Sequence, residues 1–391
     1  MKHLIITNGT VVTDKLIENG TVVTIGDRIM LVAGEEEGRR ILEAASPHVF
    51  RIIDAQGGYI APGLIDVHMH GAGGSELMDG TEEALETMAR FLARSGTVAF
   101  LPSTVTAAED KTRAVCELVA GFEDLEDGAE VLGIHLEGPY INEKYKGAQY
   151  GPAIRPASLD ELEELHRILG EKLRLVTLAP EVPGSLKAIA WLRERGVTVS
   201  IGHTNATYEE ALAGFKQGIT HVTHTYNGMR GLHHRDPGVV GAVLATPGLY
   251  AELIADLVHV HPGAIRVMLR SIGVEHIVLV TDSVQATGLP DGEYVLGDHK
   301  IFVRDGSARL ADGNLAGSTL TLKQAVQNMV EQLGVDLVDA FRMASLNPAQ
   351  TLGLKHRGWI KEGNKADFVL LSRDFQVQMT IISGRTAYSA Q

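Results

Sequence analysis

From Leu64 onward, the chain alternates short apolar, β-branched runs with longer segments of helical periodicity. A short apolar run bounded by turn residues is typical of a buried strand, whereas apolar residues at i, i+3, i+4 and i+7 indicate a helix with one buried face. The runs are Leu64 to Val67, Thr97 to Leu101, Val131 to Leu136, Leu173 to Leu178, Val197 to Ile201, Ile219 to Thr223, Tyr250 to Ala255 and His276 to Thr281. Strands and helices alternating about eight times predict an α/β fold, a (β/α)8 TIM-like barrel.

The segments between the runs carry helix signals. Thr81 to Ser95 places Leu85, Met88 and Leu92 on one face, and Gly96 follows as a stop signal. Three S/T-x-x-E patterns predict further helix starts, at Thr106 with Glu109, Ser158 with Glu161, and Thr207 with Glu210. Strand, helix, strand is therefore the predicted repeating unit.

Both ends of the chain show a different pattern, of short strands separated by turns. The predicted strands are Leu4 to Thr7, Gly20 to Ile25, Phe50 to Ile53, Ala366 to Leu371 and Val377 to Ile382, with Asn8-Gly9 as a break. We expect the two ends to join in one small β-sandwich domain. The predicted organisation is residues 1–60 and 355–391 in the small domain and residues 61–354 in the barrel.

Composition narrows the class of protein. Hydrophobic residues make up 45% of the 391 residues and charged residues 21%, and no apolar run approaches the roughly 18 residues that would span a bilayer. The N-terminus reaches turn residues too early for a secretory signal. Cys116 is the only cysteine, so we expect a buried core thiol, a reducing compartment and a cytoplasmic location.

The formal charge of −14 at pH 7 restricts the partners. Nucleic acid is not expected, because phosphate contacts need clustered Lys and Arg, and neither is a membrane. An anionic small molecule is compatible with this charge if a metal and one or two Arg or His supply positive charge at short range.

Side chains of the metal-binding type follow the predicted strands, where the loops of a barrel surround one mouth. His68 and His70 follow the first run, and residues two apart in a strand point to one side. Glu137 follows the third run, and the fifth to eighth runs are followed by His203, His224, His259 and Asp282. A single loop histidine is ordinary, but this recurrence predicts that the side chains converge on one site.

Imidazole and carboxylate ligands suit Zn²⁺ or Fe²⁺, and an incomplete protein shell leaves room for water. Such an ion lowers the pKa of water towards 7 and polarises a carbonyl group. Asp282 is placed to take the proton and return it to a leaving amine, although a helix N-cap or a loop ion pair is the alternative role. The pattern therefore predicts metal-assisted hydrolysis.

Motifs around these residues resemble the amidohydrolase superfamily and, within it, the N-acetylglucosamine-6-phosphate deacetylase family. The resemblance extends over most of the chain. Its motifs are Pro62 to Gly71, His135 to Tyr140, Gly202 to Ala206, Thr223 to Met229, Ile254 to Asp256 with His259, Val280 to Asp282, Leu315 to Ser318, and Asn347 to Ala349 with Ala366-Asp367. Together they are specific, whereas the H-x-H pair and the last motif indicate only the superfamily.

The resemblance implies a role for each matching position. The implied metal ligands are Glu137, His203 and His224, with His68 and His70 as the pair that some members use for a second ion. One ion is therefore expected, and two if that pair also binds. Asp282 matches the catalytic acid and base. His259 matches a residue that contacts the substrate and polarises the acetamide carbonyl.

Substrate contacts are implied as well. They match Ala148, Asn227, Gly228 and Arg235, together with Leu315, Ala316 and Gly317. In the family the arginine comes from the neighbouring subunit, so we expect a homodimer in which Arg235 crosses the interface. Its planar fork suits phosphate oxygens, and His233 and His234 beside it add donors.

Two departures from the family pattern concern Gln149, where many relatives have histidine, and Leu257-Val258 before His259. We expect neither to touch the metal or the base. They bear instead on the choice of hexosamine epimer.

The resulting hypothesis is hydrolysis of the N-acetyl group of N-acetylglucosamine 6-phosphate, giving glucosamine 6-phosphate and acetate in amino-sugar catabolism. The alternatives are the galacto epimer as substrate and a non-catalytic, sugar-phosphate sensing relative. A cyclic-amide hydrolase of the same superfamily is less favoured. Such enzymes commonly carry a carboxylated lysine after the fourth strand, and Leu175 to Pro180 contains none.

Overall fold

The computed structural model describes residues 3–390, and its strands fall into parallel and antiparallel groups. In chain order the strands are β1 His3–Val12, β2 Leu16–Ile25, β3 Arg28–Ala33, β4 Phe50–Asp54, β5 Tyr59–Pro62, β6 Leu64–Met69, β7 Gly71–Ala72, β8 Ser75–Glu76, β9 Thr97–Pro102, β10 Glu130–Val131, β11 Ile134–Glu137, β12 Leu173–Leu178, β13 Thr198–Ile201, β14 His221–Val222, β15 Tyr250–Ile254, β16 Ile277–Val280, β17 Gly292–Leu296, β18 His299–Arg304, β19 Ser307–Arg309, β20 Phe368–Leu371, β21 Val377–Ile382 and β22 Arg385–Ser389.

Two sheets consist entirely of parallel strands, ordered β10-β9-β6 and β11-β12-β13-β14-β15-β16. Each of the eight predicted runs contains a strand of these sheets. The run Val131 to Leu136 is divided into β10 and β11, because Gly133 adopts a φ of 137° between them. A Cβ at Gly133 would lie 2.2 Å from the carbonyl oxygen of Lys172, so the division requires glycine.

Strands from both ends of the chain lie in one eight-stranded sheet, ordered β22-β21-β20-β5-β1-β2-β3, with β4 beside β1. The C-terminal β20 pairs antiparallel with the N-terminal β5, in the register Phe368 to Pro62. Asn8-Gly9 does not break the first strand as predicted. Asn8 takes a left-handed φ of 58° inside β1, and the register with β2 shifts there, so the strand continues through an irregularity.

The α-helices of the described chain are α1 Glu35–Ala44, α2 Glu82–Arg94, α3 Glu109–Gly121, α4 Leu159–Leu169, α5 Ser185–Glu194, α6 Tyr208–Gln217, α7 Gly238–Ala245, α8 Pro262–Ile272, α9 Leu322–Glu331, α10 Leu337–Phe341 and α11 Asn347–Thr351. Helices α2 to α8 lie between the strands of the parallel sheets, whereas α1 lies between β3 and β4 and α9 to α11 lie between β19 and β20. Ser158 and Thr207 cap α4 and α6 as predicted, and Thr207 completes a capping box with Glu210. The prediction for Thr106 is wrong, because α3 begins only at Glu109, after Ala108.

The core consists of two apolar clusters. The larger one packs the parallel sheets against their helices, and the smaller one contains residues such as Leu4, Ile6, Phe368 and Ile381 of the terminal sheet. Cys116 is fully buried in the larger cluster, as expected, and burial raises the pKa of its thiol to about 12. Among residues 3–390, no helix has the length and apolar character that crossing a membrane requires.

A three-stranded antiparallel sheet, β17-β18-β19, was not predicted from the sequence. Its strands alternate exposed polar residues with a few buried ones, such as Ile301 and Val303. The turn between β17 and β18 is anchored by Glu76, whose Oε1 accepts a hydrogen bond of 2.8 Å from Gly297 N. The sheet is therefore tied to the segment that follows His70.

We expect Glu76→Gln to stabilise the protein at pH 8 but not at pH 4.5. Burial raises the pKa of Glu76 from 4.5 to about 7, although the Gly297 hydrogen bond opposes the shift. Between these values the folded chain retains a proton that the unfolded chain has lost, so stability falls as pH rises. Glutamine keeps the acceptor without this loss. The gain is on the order of 1 kcal/mol, read from thermal melts.

The matched control for this test is Glu123→Gln, which makes the same change at an exposed position. An equal gain at both pH values, or the same gain in the control, would contradict the assignment.

Candidate metal centre and active site

Backbone geometry at the strand ends places the metal-type side chains. Glu137 is the last residue of β11, while His203, His224 and Asp282 each lie two residues after β13, β14 and β16. These three adopt left-handed φ angles of 46°, 28° and 49°. For a residue with a Cβ this conformation costs about 1–2 kcal/mol. Such strain persists where the surrounding structure fixes it, and it concentrates at functional sites.

Two groups of potential ligands result. Glu137, His203 and His224 form one, and His68, His70 and Asp282 form the other, with the ligand atoms of each group within 4.8 Å of one another. The Oε1 atom of Glu137 lies 3.0 Å from Nε2 of His203 and 3.2 Å from Nε2 of His224. Side chains separated by as many as 214 residues along the sequence are thus brought together, as the sequence pattern predicted.

Hydrogen bonds donated by Nδ1 fix the orientation of these imidazoles. His203 and His224 each donate from Nδ1 to a backbone carbonyl, of Tyr145 at 2.9 Å and of Asn227 at 3.1 Å. A carbonyl oxygen only accepts, so Nδ1 carries the hydrogen and Nε2 carries the lone pair of the neutral ring. The two Nε2 atoms are 3.1 Å apart. Facing lone pairs beside a buried carboxylate fit a divalent cation well.

The second group shares this arrangement. Nδ1 of His70 is 3.2 Å from the carbonyl of Ser103, and Nδ1 of His68 is 2.8 Å from Oε2 of Glu252. Nε2 of His68 is buried without a hydrogen-bond partner among the described residues. Its neighbours are Glu137 Oε1 at 3.3 Å and Asp282 Oδ1 at 3.6 Å.

The carboxylates remain charged despite their burial. Burial alone would raise the pKa of Glu137, but the surrounding imidazoles of His68, His203 and His224 hold it well below its usual value. The pKa of Asp282 is also lowered, because His70 and His68 outweigh burial. Both groups are therefore carboxylates at neutral pH, the form that binds a metal or accepts a proton.

A cavity of about 850 Å³ opens onto these residues. The residues assigned to the substrate that line it are Ala148, Asn227, Gly228, His259, Leu315 and Gly317. Ala316 is buried and Arg235 is exposed, and neither is among the lining residues that the structure describes. The guanidinium of Arg235 instead contacts Nε2 of His234 at 2.7 Å. Within one chain, Arg235 is thus separate from the cavity.

Comparisons with known proteins show the family of this chain. Residues 59–387 match the model of the amidohydrolase family. The chain belongs to the amidohydrolase family. A relative named N-acetylglucosamine-6-phosphate deacetylase, from Vibrio furnissii, is 45% identical over 85% of this chain and 83% of its own length. The resemblance found in the sequence is therefore confirmed.

Two further relatives of this amidohydrolase bear on its substrate. One from Escherichia coli O157:H7, named N-acetylgalactosamine-6-phosphate deacetylase, is 40% identical over 89% of this chain and 92% of its own. A mutant N-acetyl-D-glucosamine-6-phosphate deacetylase from Mycobacterium smegmatis was solved in complex with N-acetyl-D-glucosamine-6-phosphate. Its structure has a TM-score of 0.90 with this chain, at 31% identity, and the match covers 100% of both.

His259 of this amidohydrolase is held by the carboxylate of Asp256. Nδ1 lies 2.6 Å from Oδ2, and the backbone nitrogen donates to Oδ1 at 2.8 Å. Burial opposes ionisation of Asp256, but the hydrogen bonds and charge of His259 lower its pKa. Because Nδ1 is bonded to Asp256, Nε2 of His259 is the ring nitrogen that is available to a ligand in the cavity.

Glu252 is a polar residue of the site that the sequence analysis missed. It is fully buried on β15, and its Oε2 accepts from His68 Nδ1 and from His224 N, both at 2.8 Å. Its Oε1 accepts from His221 Nε2 at 3.0 Å. One carboxylate therefore orients a residue of each ligand group. The available signal was a glutamate inside the otherwise apolar run Tyr250 to Ala255.

Glu252→Gln is expected to weaken metal retention about 10- to 100-fold without unfolding the chain. Glutamine replaces one acceptor oxygen with an NH₂ group, so at least one of the three donors loses its partner. Metal content after dialysis against a graded chelator series measures the effect, and circular dichroism checks the fold. Glu209→Gln, exposed on α6, is the control. Retention equal to that of the control would refute the positioning role.

Gln149 makes a contact that the sequence analysis did not predict. Its Nε2 donates to Oε2 of Glu137 at 2.5 Å, and its Oε1 accepts from Thr106 N at 2.6 Å. Gln149 therefore contacts a candidate metal ligand. This contact joins two loops that are distant in the sequence, and no local pattern indicates it.

Proposed function

We propose that this chain hydrolyses the N-acetyl group of N-acetylglucosamine 6-phosphate to give glucosamine 6-phosphate and acetate. The observation that carries the proposal is the buried group of Glu137, His203 and His224, which faces a cavity together with Asp282. The relative that was solved with N-acetyl-D-glucosamine-6-phosphate supports the choice of substrate.

Glu137, His203 and His224 would hold a divalent ion, Zn²⁺ or Fe²⁺, and His68 with His70 would hold a second one. Bound there, the ion supplies a Lewis acid for the acetamide carbonyl and a water of lowered pKa. The chain contributes a carboxylate and imidazoles whose Nε2 atoms are already oriented by hydrogen bonds at Nδ1. This preorganisation reduces the cost of binding.

Asp282 is the proton carrier in this proposal. Its Oδ1 lies 3.1 Å from Nε2 of His70, beside both ligand groups. A carboxylate with a lowered pKa accepts a proton from the attacking water and returns it to the nitrogen that leaves as an amine. His259, oriented by Asp256, donates from Nε2 to the carbonyl oxygen as negative charge develops there.

The phosphate end of the substrate requires positive charge in an acidic protein. Three lysines that were not identified from the sequence supply it at the cavity, Lys144, Lys146 and Lys300, and His299 lies on the same lining. We propose that Arg235 reaches the cavity of a second subunit, because it does not line the cavity of its own chain. This arrangement makes the active unit a homodimer.

The galacto epimer is the second candidate substrate. The relative that is 40% identical and named N-acetylgalactosamine-6-phosphate deacetylase favours its inclusion. The two epimers differ only in the configuration of one hydroxyl group on the sugar ring. A site that hydrogen-bonds that hydroxyl strongly disfavours the wrong epimer.

Acetate release from a small panel tests the proposal. The panel contains N-acetylglucosamine and N-acetylgalactosamine, each with and without a 6-phosphate, and one cyclic amide. We expect the highest kcat/KM with N-acetylglucosamine 6-phosphate. A higher value for the galacto epimer would change the substrate. Metal-loaded protein that binds the sugar phosphates and releases no acetate would favour the sensing alternative.

We further propose that the two parallel sheets close into one (β/α)8 barrel spanning residues 61–354. Two sets of contacts support closure: Ser103 bridges His135, and the backbone nitrogen of Asp282 donates to the carbonyl of His68 at 2.9 Å. Residues 1–60 and 355–391 would form the separate β-sandwich domain around the terminal sheet.

A further inference from the structure

A second cleft of about 410 Å³ is lined by cationic side chains. Its walls are Arg28 of β3, Arg174 of β12, the loop from Gly353 to Arg357, and Lys365. Arg174 is the second residue of β12, whereas Glu137 is the last residue of the adjacent β11. The cleft is therefore at the opposite edge of the parallel sheet from the candidate metal centre.

The charge of this cleft contrasts with that of the chain. Five lining residues are Arg or Lys and no lining residue that the structure describes is acidic, while the whole chain carries −14. Glu130 and Asp367 do not line the cleft, but they neutralise part of its positive charge through ion pairs. Glu130 lies 2.9 Å from Arg357 and 2.5 Å from Lys365, and Asp367 lies 2.8 Å from Arg357. Arg174 and Lys355 have no such acidic partner within residues 3–390.

Several donors in the cleft lack acceptors. Lys355 is exposed and makes no hydrogen bond or ion pair with the described residues. Arg174 uses Nε for the carbonyl of Leu132 at 3.1 Å, which leaves its two terminal nitrogens. Arg357 is only 8% exposed, and its Nη2 has no hydrogen-bond partner in the described chain. A buried N–H of a charged group that lacks an acceptor is costly, so an acceptor is needed here.

We propose that this cleft binds the phosphate group of a small anion, either free phosphate or a phosphate monoester. Guanidinium forks match phosphate oxygens in two-point hydrogen bonds, and a lysine adds a point charge. The loop from Gly353 to Arg357, the N-terminal Arg28 and the strand residue Arg174 come from three parts of the chain. A bound anion would tie them together and stabilise the folded protein.

Isothermal titration of the metal-loaded protein with inorganic phosphate and, separately, with glycerol 1-phosphate tests the proposal. Lys355→Gln and Arg174→Gln each remove one donor and should weaken binding about tenfold. Lys361→Gln, an exposed lysine outside the cleft, is the matched control. Because the candidate active site also takes phosphate, Arg235→Gln is titrated in parallel. Tighter binding of one probe identifies the source of the phosphate.

We expect phosphate binding to be unchanged in Arg235→Gln and Lys361→Gln. It should weaken in the two cleft variants, Lys355→Gln and Arg174→Gln. Acetate release by Lys355→Gln without added anion should equal that of the parent protein. Absence of measurable binding, or equal binding by Lys355→Gln, Arg174→Gln and the parent, overturns the proposal. Equal weakening by Lys361→Gln overturns it as well, since it indicates general charge attraction. None of these outcomes depends on which acetylated sugar is hydrolysed.

Discussion

Asp282→Asn is expected to lower kcat roughly 10²- to 10⁴-fold while the chain still retains its metal at Glu137, His203 and His224. The asparagine side chain is nearly the same size, but it has no carboxylate to accept a proton from water. It also cannot return a proton to the leaving nitrogen. Because Asp282 belongs to the other ligand group, the first metal site keeps all three side chains.

Steady-state acetate release and metal content per chain, measured on the same preparation, check this expectation. Asp312→Asn makes the same change at an exposed residue lining the same cavity, so it controls for lost charge near the substrate. Near-normal turnover by Asp282→Asn would refute the assignment of the base. Loss of all metal would instead assign Asp282 a structural role in the primary site.

The positions of the candidate ligands were predictable because a strand end is a local feature. A run such as Ile277 to Val280 is apolar since it is buried on both faces, and the first polar residue after it lies at the sheet edge. Parallel strands bring these edges together whatever the sequence separation. The convergence of His203, His224 and Asp282 could therefore be predicted from spacing and residue type alone.

Contacts between loops could not be predicted in this way. Gln149 reaches Glu137 because the backbone of Thr106 fixes the other end of its amide, and neither partner is near it in sequence. Glu252 has the same character, since its three donors come from β6, β14 and the loop after β14. Tertiary hydrogen bonds of this kind leave only a buried polar residue as their local signal.

Amphipathic elements on the surface were the other source of error. The strands of β17 to β19 were missed because their apolar residues are few and interrupted by Gly297-Asp298. The Thr106 pattern matched a capping box, but the backbone nitrogen of Thr106 is already bound by Gln149. A tertiary contact thus overrides a weak local preference.

Glu137→Gln is expected to abolish metal retention and to reduce acetate release by about 10³-fold or more. The carboxylate of Glu137 lies beside the Nε2 atoms of His203 and His224, and its Oε1 contacts both rings. A neutral amide offers one oxygen without charge, and its NH₂ group would face an imidazole nitrogen or Gln149. The ion would then have two neutral imidazoles as its ligands, too few for tight binding.

Three measurements distinguish loss of the metal ion from unfolding of the chain. They are metal analysis after gel filtration, acetate release, and thermal melting of the metal-free chains. Melting should change little, because in the absence of the ion the variant buries one charge fewer. Glu143→Gln is the matched control, since Glu143 is exposed on the lining of the same cavity. If Glu137→Gln kept a full complement of metal, the ion would have to be held by His68, His70 and Asp282 instead. The assignment of the primary site would then move from β11 to the end of β6.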